Sequence, residues 1–67
     1  MIKYKFDVLN ALKRVGYNTY ILRKDNLLSE TIITKLRNSD TNISLNTLDK
    51  LCELLDMQPE QLIERNE

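Results

Sequence analysis

The chain has 67 residues, 42% apolar and 30% charged, a balance that is typical of one small globular domain rather than of a disordered segment. It carries a single cysteine and no histidine, which excludes an internal disulfide and leaves no basis for expecting a metal or a cofactor. The formal net charge is zero. No apolar run approaches the roughly 20 residues that cross a bilayer, and the first residues lack the apolar stretch of a signal peptide, so we expect a cytoplasmic chain without membrane contact.

The first predicted element is an extended arm. Ile2, Tyr4 and Phe6 alternate with lysines, which is the period of a strand. A single isolated strand has no partner in this chain. We therefore expect the arm either to stay extended on its own or to pair with the same arm of a second subunit.

Helices are predicted from Val8 onward. The first has apolar side chains at helical spacing, and Gly16 follows it as the C-terminal stop. A second, shorter helix runs from Thr19 to about Asp25, and Asn18 is its N-cap. Asn26 tolerates the left-handed backbone of the tight turn that we expect next.

Three further helices follow this turn. Ser29 caps the third, which extends through about Asn38. After a polar loop, Ser44 caps the fourth, in which Cys52 lies on the apolar side and is predicted to be a core thiol. Pro59 begins the last helix.

The last helix offers Leu62 and Ile63 for burial, and no structure is predicted after Arg65. No repeat, linker or low-complexity tract interrupts the pattern. The sequence therefore predicts one all-α domain, residues 1–67, that consists of five short helices.

Charge is divided unevenly along the chain. Residues 1–38 hold eight basic and three acidic side chains, a net of +5, whereas residues 39–67 have a net of −5. Such asymmetry indicates a basic half that meets phosphates and an acidic half that faces solvent or a second protein. The alternative is chance combined with the preference of charged residues for particular helix ends.

Two short helices joined by about three residues, at about 18–38, are typical of a helix-turn-helix unit. Four stretches carry a wider likeness: Gly16–Thr19, Leu28–Leu36, Thr47–Leu55 and Gln58–Ile63. Through them the chain resembles, from Phe6 to Ile63, the Cro and lambda-repressor (Xre) family of transcriptional regulators. The likeness is to short stand-alone members from Gram-positive bacteria, their phages and mobile elements.

The chain departs from this family at four positions. Arg23 stands where the family has a small alanine, so either its side chain must extend to solvent or the second and third helices must sit further apart. Leu27 replaces the glycine of the turn, and Asn26 is expected to take over the left-handed position. Thr19 replaces a glutamine and Ser39 replaces a glycine.

The resemblance implies that the third helix reads bases through its outward side chains, Glu30, Thr31, Thr34 and Lys35. Their chemistry suits this role, because lysine donates to guanine, threonine contacts the thymine methyl group and a carboxylate accepts from cytosine. Glu30 is the weak point, since phosphates repel it. It either reads a cytosine or is held by a neighbour such as Lys24 or Lys35.

The resemblance also implies a set of phosphate contacts around the starts of the second and fourth helices: Asn18, Thr19, Arg37, Asn38, Thr41, Asn42 and Ser44. Amides at helix starts and short polar side chains suit this role. For Asn18 and Ser44 the alternative is simple helix capping, which we expect whether or not DNA is also bound.

The sequence therefore predicts a non-enzymatic, sequence-specific binder of double-stranded DNA, a homodimeric regulator that acts as a repressor on a pseudo-palindromic operator. The alternative is a protein-interaction module on the same fold, an antitoxin or anti-repressor, with a regulatory protein as partner. Two dimer surfaces are candidates: the Leu62 and Ile63 end, and the Ile2, Tyr4 and Phe6 arm.

Overall fold

Five helices and two short strands make up residues 1–66, the part of the chain that the computed structural model describes. Their order is β1 (Ile2–Tyr4), α1 (Val8–Arg14), α2 (Thr19–Lys24), α3 (Glu30–Arg37), α4 (Leu45–Leu55), α5 (Pro59–Leu62) and β2 (Ile63–Arg65). The five predicted helices are confirmed. None of the helices in residues 1–66 has the length and apolar content that a bilayer crossing needs.

The N-terminal arm has a partner in its own chain, so the expectation of an isolated strand is wrong. β1 pairs with β2 in antiparallel register, which places Lys3 opposite Glu64 and Tyr4 opposite Ile63. The pairing continues past Arg65, because the amide of Asn66 donates to the carbonyl of Met1 at 2.6 Å. β2 has only three residues and one apolar side chain, so its sequence does not show the alternation of apolar and polar residues that predicts a strand.

Each of the first four helices begins with a side chain that accepts a hydrogen bond from a backbone amide in its first turn. The caps are Asp7, Asn18, Ser29 and Ser44, which accept from Asn10, Ile21, Ile32 and Thr47 at 3.2, 2.9, 3.3 and 3.1 Å. At α5, the side chain of Gln61 accepts from the amide of Gln58 at 2.8 Å. These bonds satisfy amides that a helix start leaves without partners.

Left-handed backbone conformations separate the helices. Gly16 after α1 has φ of 101°, and Asn26 in the α2–α3 turn has φ of 54°, as predicted. Ser39 has φ of 57° after α3, at the position where a glycine was expected from the resemblance. A left-handed serine is costly, so this turn is held by the contacts around it rather than by local preference.

Within residues 1–66, nine side chains form the buried core: Val8, Leu12, Leu22, Leu28, Ile33, Leu36, Leu51, Leu55 and Leu62. They come from all five helices and the α2–α3 turn, so each helix contributes its apolar stripe to one cluster. Leu62 has 0% of its surface exposed. The predicted dimer surface at Leu62 and Ile63 is therefore wrong for Leu62, because that side chain fills the core of its own subunit.

Candidate nucleic-acid interface

α2 and α3 are joined by a tight turn that closes on the last residues of α2. The amides of Leu27 and Leu28 donate to the carbonyl of Leu22 at 2.9 and 3.3 Å. Leu22 and Leu28 are both buried, as is Ile33 on the inward side of α3. Because these side chains fix α3 in rotation, the opposite face of α3 is turned to solvent.

The outward face of α3 presents a continuous polar surface. One shallow, open concavity is lined by Glu30, Thr31, Thr34, Lys35, Asn38 and Asp40. Thr31 and Thr34 are exposed, and no side-chain hydrogen bond within residues 1–66 engages them. The structure thus brings all four predicted base-reading residues together with Asn38, and it leaves the two threonines available to a ligand.

Glu30, the first residue of α3, is held by Arg23 at the end of α2. The Arg23 Nε and Nη2 atoms donate to the two carboxylate oxygens at 2.5 and 3.0 Å. A neighbour therefore holds Glu30, which is one of the two expected alternatives, but this neighbour is Arg23 rather than Lys24 or Lys35. The Lys24 Nζ lies 5.7 Å from the centre of the Tyr20 ring instead.

Lys35 is directed to the loop that follows α3. Its Nζ donates to the carbonyl of Asn42 at 2.8 Å, and the amide of Asn42 donates to Asp40 Oδ1 at 2.9 Å. The side chain is half-buried. Lys35 therefore fastens the end of α3 to the α3–α4 loop, and only its remaining ammonium hydrogens are free for a base.

The predicted phosphate contacts have varied surroundings. Asn18 and Ser44 are helix caps, as expected, and Thr19 is half-buried at the start of α2. Thr41 Oγ1 donates to the carbonyl of Ile2 at 3.3 Å, so its hydroxyl is already used to hold β1. Asn38 and the side chain of Asn42 are exposed.

Arg37 lies apart from the concavity on α3. It lines a second cleft with Lys3, Tyr4, Phe6, Asp7, Leu36 and Ser39. Two of these residues, Arg37 and Lys3, are basic, and Asp7 is acidic. This cleft joins the C-terminal part of α3 to β1, a neighbourhood that spacing along the chain does not reveal.

A short helix that braces a second one, whose polar face is open to solvent, has the geometry that fits a major groove. A family model for the Cro/C1-type HTH DNA-binding domain matches residues 5–67. The chain belongs to this family. No curated protein and no solved structure matches it. This Cro/C1-type chain therefore binds DNA and regulates transcription, and the resemblance noted in its sequence is confirmed.

Two residues of this Cro/C1-type domain contribute more than the sequence indicated. The sequence indicates Arg23 as a misfit between helices and, with Arg14, Lys24 and Arg37, as a source of salt-dependent attraction, whereas in the structure it lies next to the α2–α3 turn and holds the first residue of α3. Asp40 is predicted only as one residue of the polar loop after α3. The carbonyl of Asp40 accepts a hydrogen bond from the Tyr4 hydroxyl at 2.9 Å. Its carboxylate accepts one from the amide of Asn42, and this bond closes a turn in the loop. An aspartate two residues before an asparagine in a polar loop is the signal that could have revealed this turn.

Cys52 lies on α4, away from the polar face of α3. It is half-buried and packs against the core cluster. Burial raises the pKa of its thiol, and the neighbouring charge of Asp49 raises it further. The thiol is therefore held in its protonated form, which is the unreactive one.

Proposed function

We propose that this chain is a homodimeric, cytoplasmic repressor that binds a pseudo-palindromic operator. Each subunit places α3 in one of two successive major grooves, with half-sites about 34 Å apart. Repression follows if the bound dimer blocks access of the polymerase. Control is exerted by the abundance of the protein or by a protein partner.

The observation that carries this proposal is the solvent-facing row on α3. Ile33 and Leu36 are buried on one side of the helix, while Thr31 and Thr34 are exposed on the other. Hydroxyl groups that are free of protein partners can bond base edges or contact a thymine methyl group. The buried inward face of α3 fixes the helix in place, and its exposed outward face can contact bases. Together they favour sequence-specific reading over nonspecific attraction to phosphates.

The second support is the distribution of helix starts. The amide-rich start of α2, capped by Asn18, is suited to phosphate oxygens. Such contacts fix register and orientation without carrying sequence information. The start of α4, capped by Ser44, lines the groove that we propose below as the dimer surface. Asn38 and Asn42 are exposed near the C-terminal end of α3 and complete the proposed phosphate contacts.

Binding selection from a random duplex pool tests the proposal directly. The wild type and a Thr31→Ala, Thr34→Ala variant are compared at two salt concentrations, since phosphate attraction weakens with salt. Alanine favours helix, so the variant should keep α3 intact. We expect the wild type to enrich a palindrome and the variant to lose that enrichment.

The matched control is Glu53→Ala, an exposed change on α4. It should enrich the same palindrome as the wild type. If the wild type enriches no sequence and shows only weak, salt-sensitive binding, sequence-specific repression is the wrong proposal. The alternative would then be that the acidic half, residues 39–67, binds a protein partner.

The dimer surface that we propose combines the two candidates from the sequence. Because β1 pairs with β2, Ile2 and Ile63 line one groove, together with Tyr4, Thr41, Ile43, Ser44, Leu45 and Leu48. Leu45 is 82% exposed and Ile2 is 44% exposed. In a twofold dimer the same apolar groove meets its own copy, and a domain of this size gains stability from such burial.

A further inference from the structure

The ion pair between Arg23 and Glu30 joins the two helices of the helix-turn-helix unit at its outer edge. Arg23 lies in the last turn of α2 and Glu30 is the first residue of α3. Their side chains are 48% and 61% exposed, so the pair lies at the surface rather than in the core. An exposed pair contributes little to stability, which leaves its role open to another explanation.

The contact uses only one edge of the guanidinium. Nε and one hydrogen of Nη2 are directed to Glu30. The second hydrogen of Nη2 and one hydrogen of Nη1 lie side by side at the tip of the group, and no hydrogen bond within residues 1–66 engages Nη1. Two parallel donors in this arrangement match the O6 and N7 acceptors of guanine in the major groove.

The same contact alters what Glu30 can do. Both carboxylate oxygens already accept from Arg23, and the negative charge is neutralised at close range. A carboxylate in that state is a poorer acceptor for cytosine and is less strongly repelled by phosphates. The pair therefore presents donors at the start of α3, where Glu30 alone would present acceptors.

We propose that Arg23 reads a guanine through the free tip of its guanidinium, and that Glu30 is the positioning residue that aims it. This inference rests on the proposed function, because it assumes that the start of α3 enters a major groove. It assigns base reading to a residue of α2 that is not among the α3 positions expected to read bases. It also replaces the expected role of Glu30 as a reader of cytosine.

The test is a binding selection with the wild type and the variants Arg23→Ala, Arg23→Lys and Glu30→Gln. We expect Arg23→Ala to lose one guanine preference in each half-site and to keep the others. Lysine keeps the charge but has no paired donors, so Arg23→Lys should not restore that preference. Glu30→Gln should weaken the same position and no other, because it loosens Arg23 without removing it.

Affinity measurements on the selected duplex determine how strongly the protein prefers guanine at that position. The wild type should prefer guanine over the other bases at that position by roughly 5- to 150-fold, and Arg23→Ala should reduce this preference to about 1-fold. Lys24→Ala is the matched control, since it removes one positive charge from the adjacent exposed position. It should weaken binding uniformly and leave every base preference unchanged.

Three outcomes overturn the inference. If Arg23→Ala behaves like Lys24→Ala, Arg23 contacts phosphate only. If Glu30→Gln removes a cytosine preference that Arg23→Ala retains, Glu30 reads that base itself. If the wild type enriches no sequence, the proposed function fails and this inference fails with it, whereas the first two outcomes leave the proposed function intact. Circular dichroism of each variant establishes that the fold is retained.

Discussion

The hydroxyl of Tyr4 in β1 donates a hydrogen bond of 2.9 Å to the carbonyl of Asp40, 36 residues further along the chain. A second bond, from Thr41 Oγ1 to the carbonyl of Ile2, lies beside it. The loop between α3 and α4 is thus fastened to the strand pair on one side. On its other side it is fastened to α3 through Lys35.

Replacing Tyr4 with phenylalanine should destabilise the fold by about 1 kcal/mol, because the carbonyl of Asp40 loses its donor while the ring packing is kept. Denaturant unfolding at neutral pH measures the difference. Tyr20→Phe is the matched control, since Tyr20 is exposed, and it should change stability by less than about 0.5 kcal/mol. Equal losses in both variants would contradict a structural role for the Tyr4 hydroxyl.

The stability contributed by Tyr4 should depend on pH in alkali. Burial raises the pKa of its phenol above the ordinary 10.0, and the charge of Asp40 raises it further. The folded chain therefore holds this proton more tightly than the unfolded chain. The contribution is complete below the unfolded pKa and is lost as pH rises through the folded pKa. The stability difference between wild type and Tyr4→Phe should narrow in alkali, and a constant difference would refute this assignment.

Ser39→Gly should stabilise the domain by about 1 kcal/mol, because glycine adopts the left-handed backbone at this position without the cost that a side chain incurs. Asn38→Gly is the matched control one residue earlier, where φ is −91°. There glycine only adds freedom to the unfolded chain, and a loss of about 0.5 to 1 kcal/mol is expected. Thermal unfolding of both variants measures the two changes in stability. If Ser39→Gly also lowered the stability, the left-handed turn at Ser39 would not be strained.

Leu45→Asp should convert the proposed dimer to a monomer without unfolding it. The side chain is exposed in the subunit, and an acidic residue at the start of α4 favours the helix. Val15→Asp makes the same chemical change at another exposed apolar residue, 54% exposed and outside the groove. Sedimentation equilibrium should find that only Leu45→Asp is monomeric. A dimer that persists in Leu45→Asp would exclude the groove as the interface.

Cys52 should react several-fold more slowly with a thiol reagent in the folded chain than in denaturant, because its raised pKa reduces the reactive thiolate. A cysteine at an exposed position of the same helix, in the double variant Cys52→Ala, Glu53→Cys, provides the comparison and should react faster. A native Cys52 as reactive as this control would contradict the protected state.

The helices were predictable because their signals are local. Asn18, Ser29 and Ser44 mark helix starts by side chains that can reach an amide three residues on, and Asn26 marks the turn by its tolerance of left-handed backbone. The strand pair was not predictable in this way. Its partners lie at opposite ends of the chain, and β2 shows no alternation.

In the candidate site, too, the features with local signals were predictable and those set by tertiary packing were not. Thr31 and Thr34 face outward because they lie opposite Ile33 and Leu36 on one helix, which a helical period reveals. The partner of Glu30 depends on how α2 packs against α3, and two lysines were as plausible from spacing as the arginine that holds it. Side-chain pairing across a turn is set by tertiary packing, which no local pattern encodes.

The strand pair has a consequence for the order in which the chain folds. The amino group of Met1 donates to the carbonyl of Asn66, a contact that spans 65 positions of sequence, and the amide of Lys5 donates to Leu62. Contacts between such distant residues form late, because closing a long loop costs entropy that local helices do not incur. During folding, α1 to α4 can therefore assemble before β1 pairs with residues 63–65. The loop at Asp40 and Thr41 reaches its final shape only at that moment.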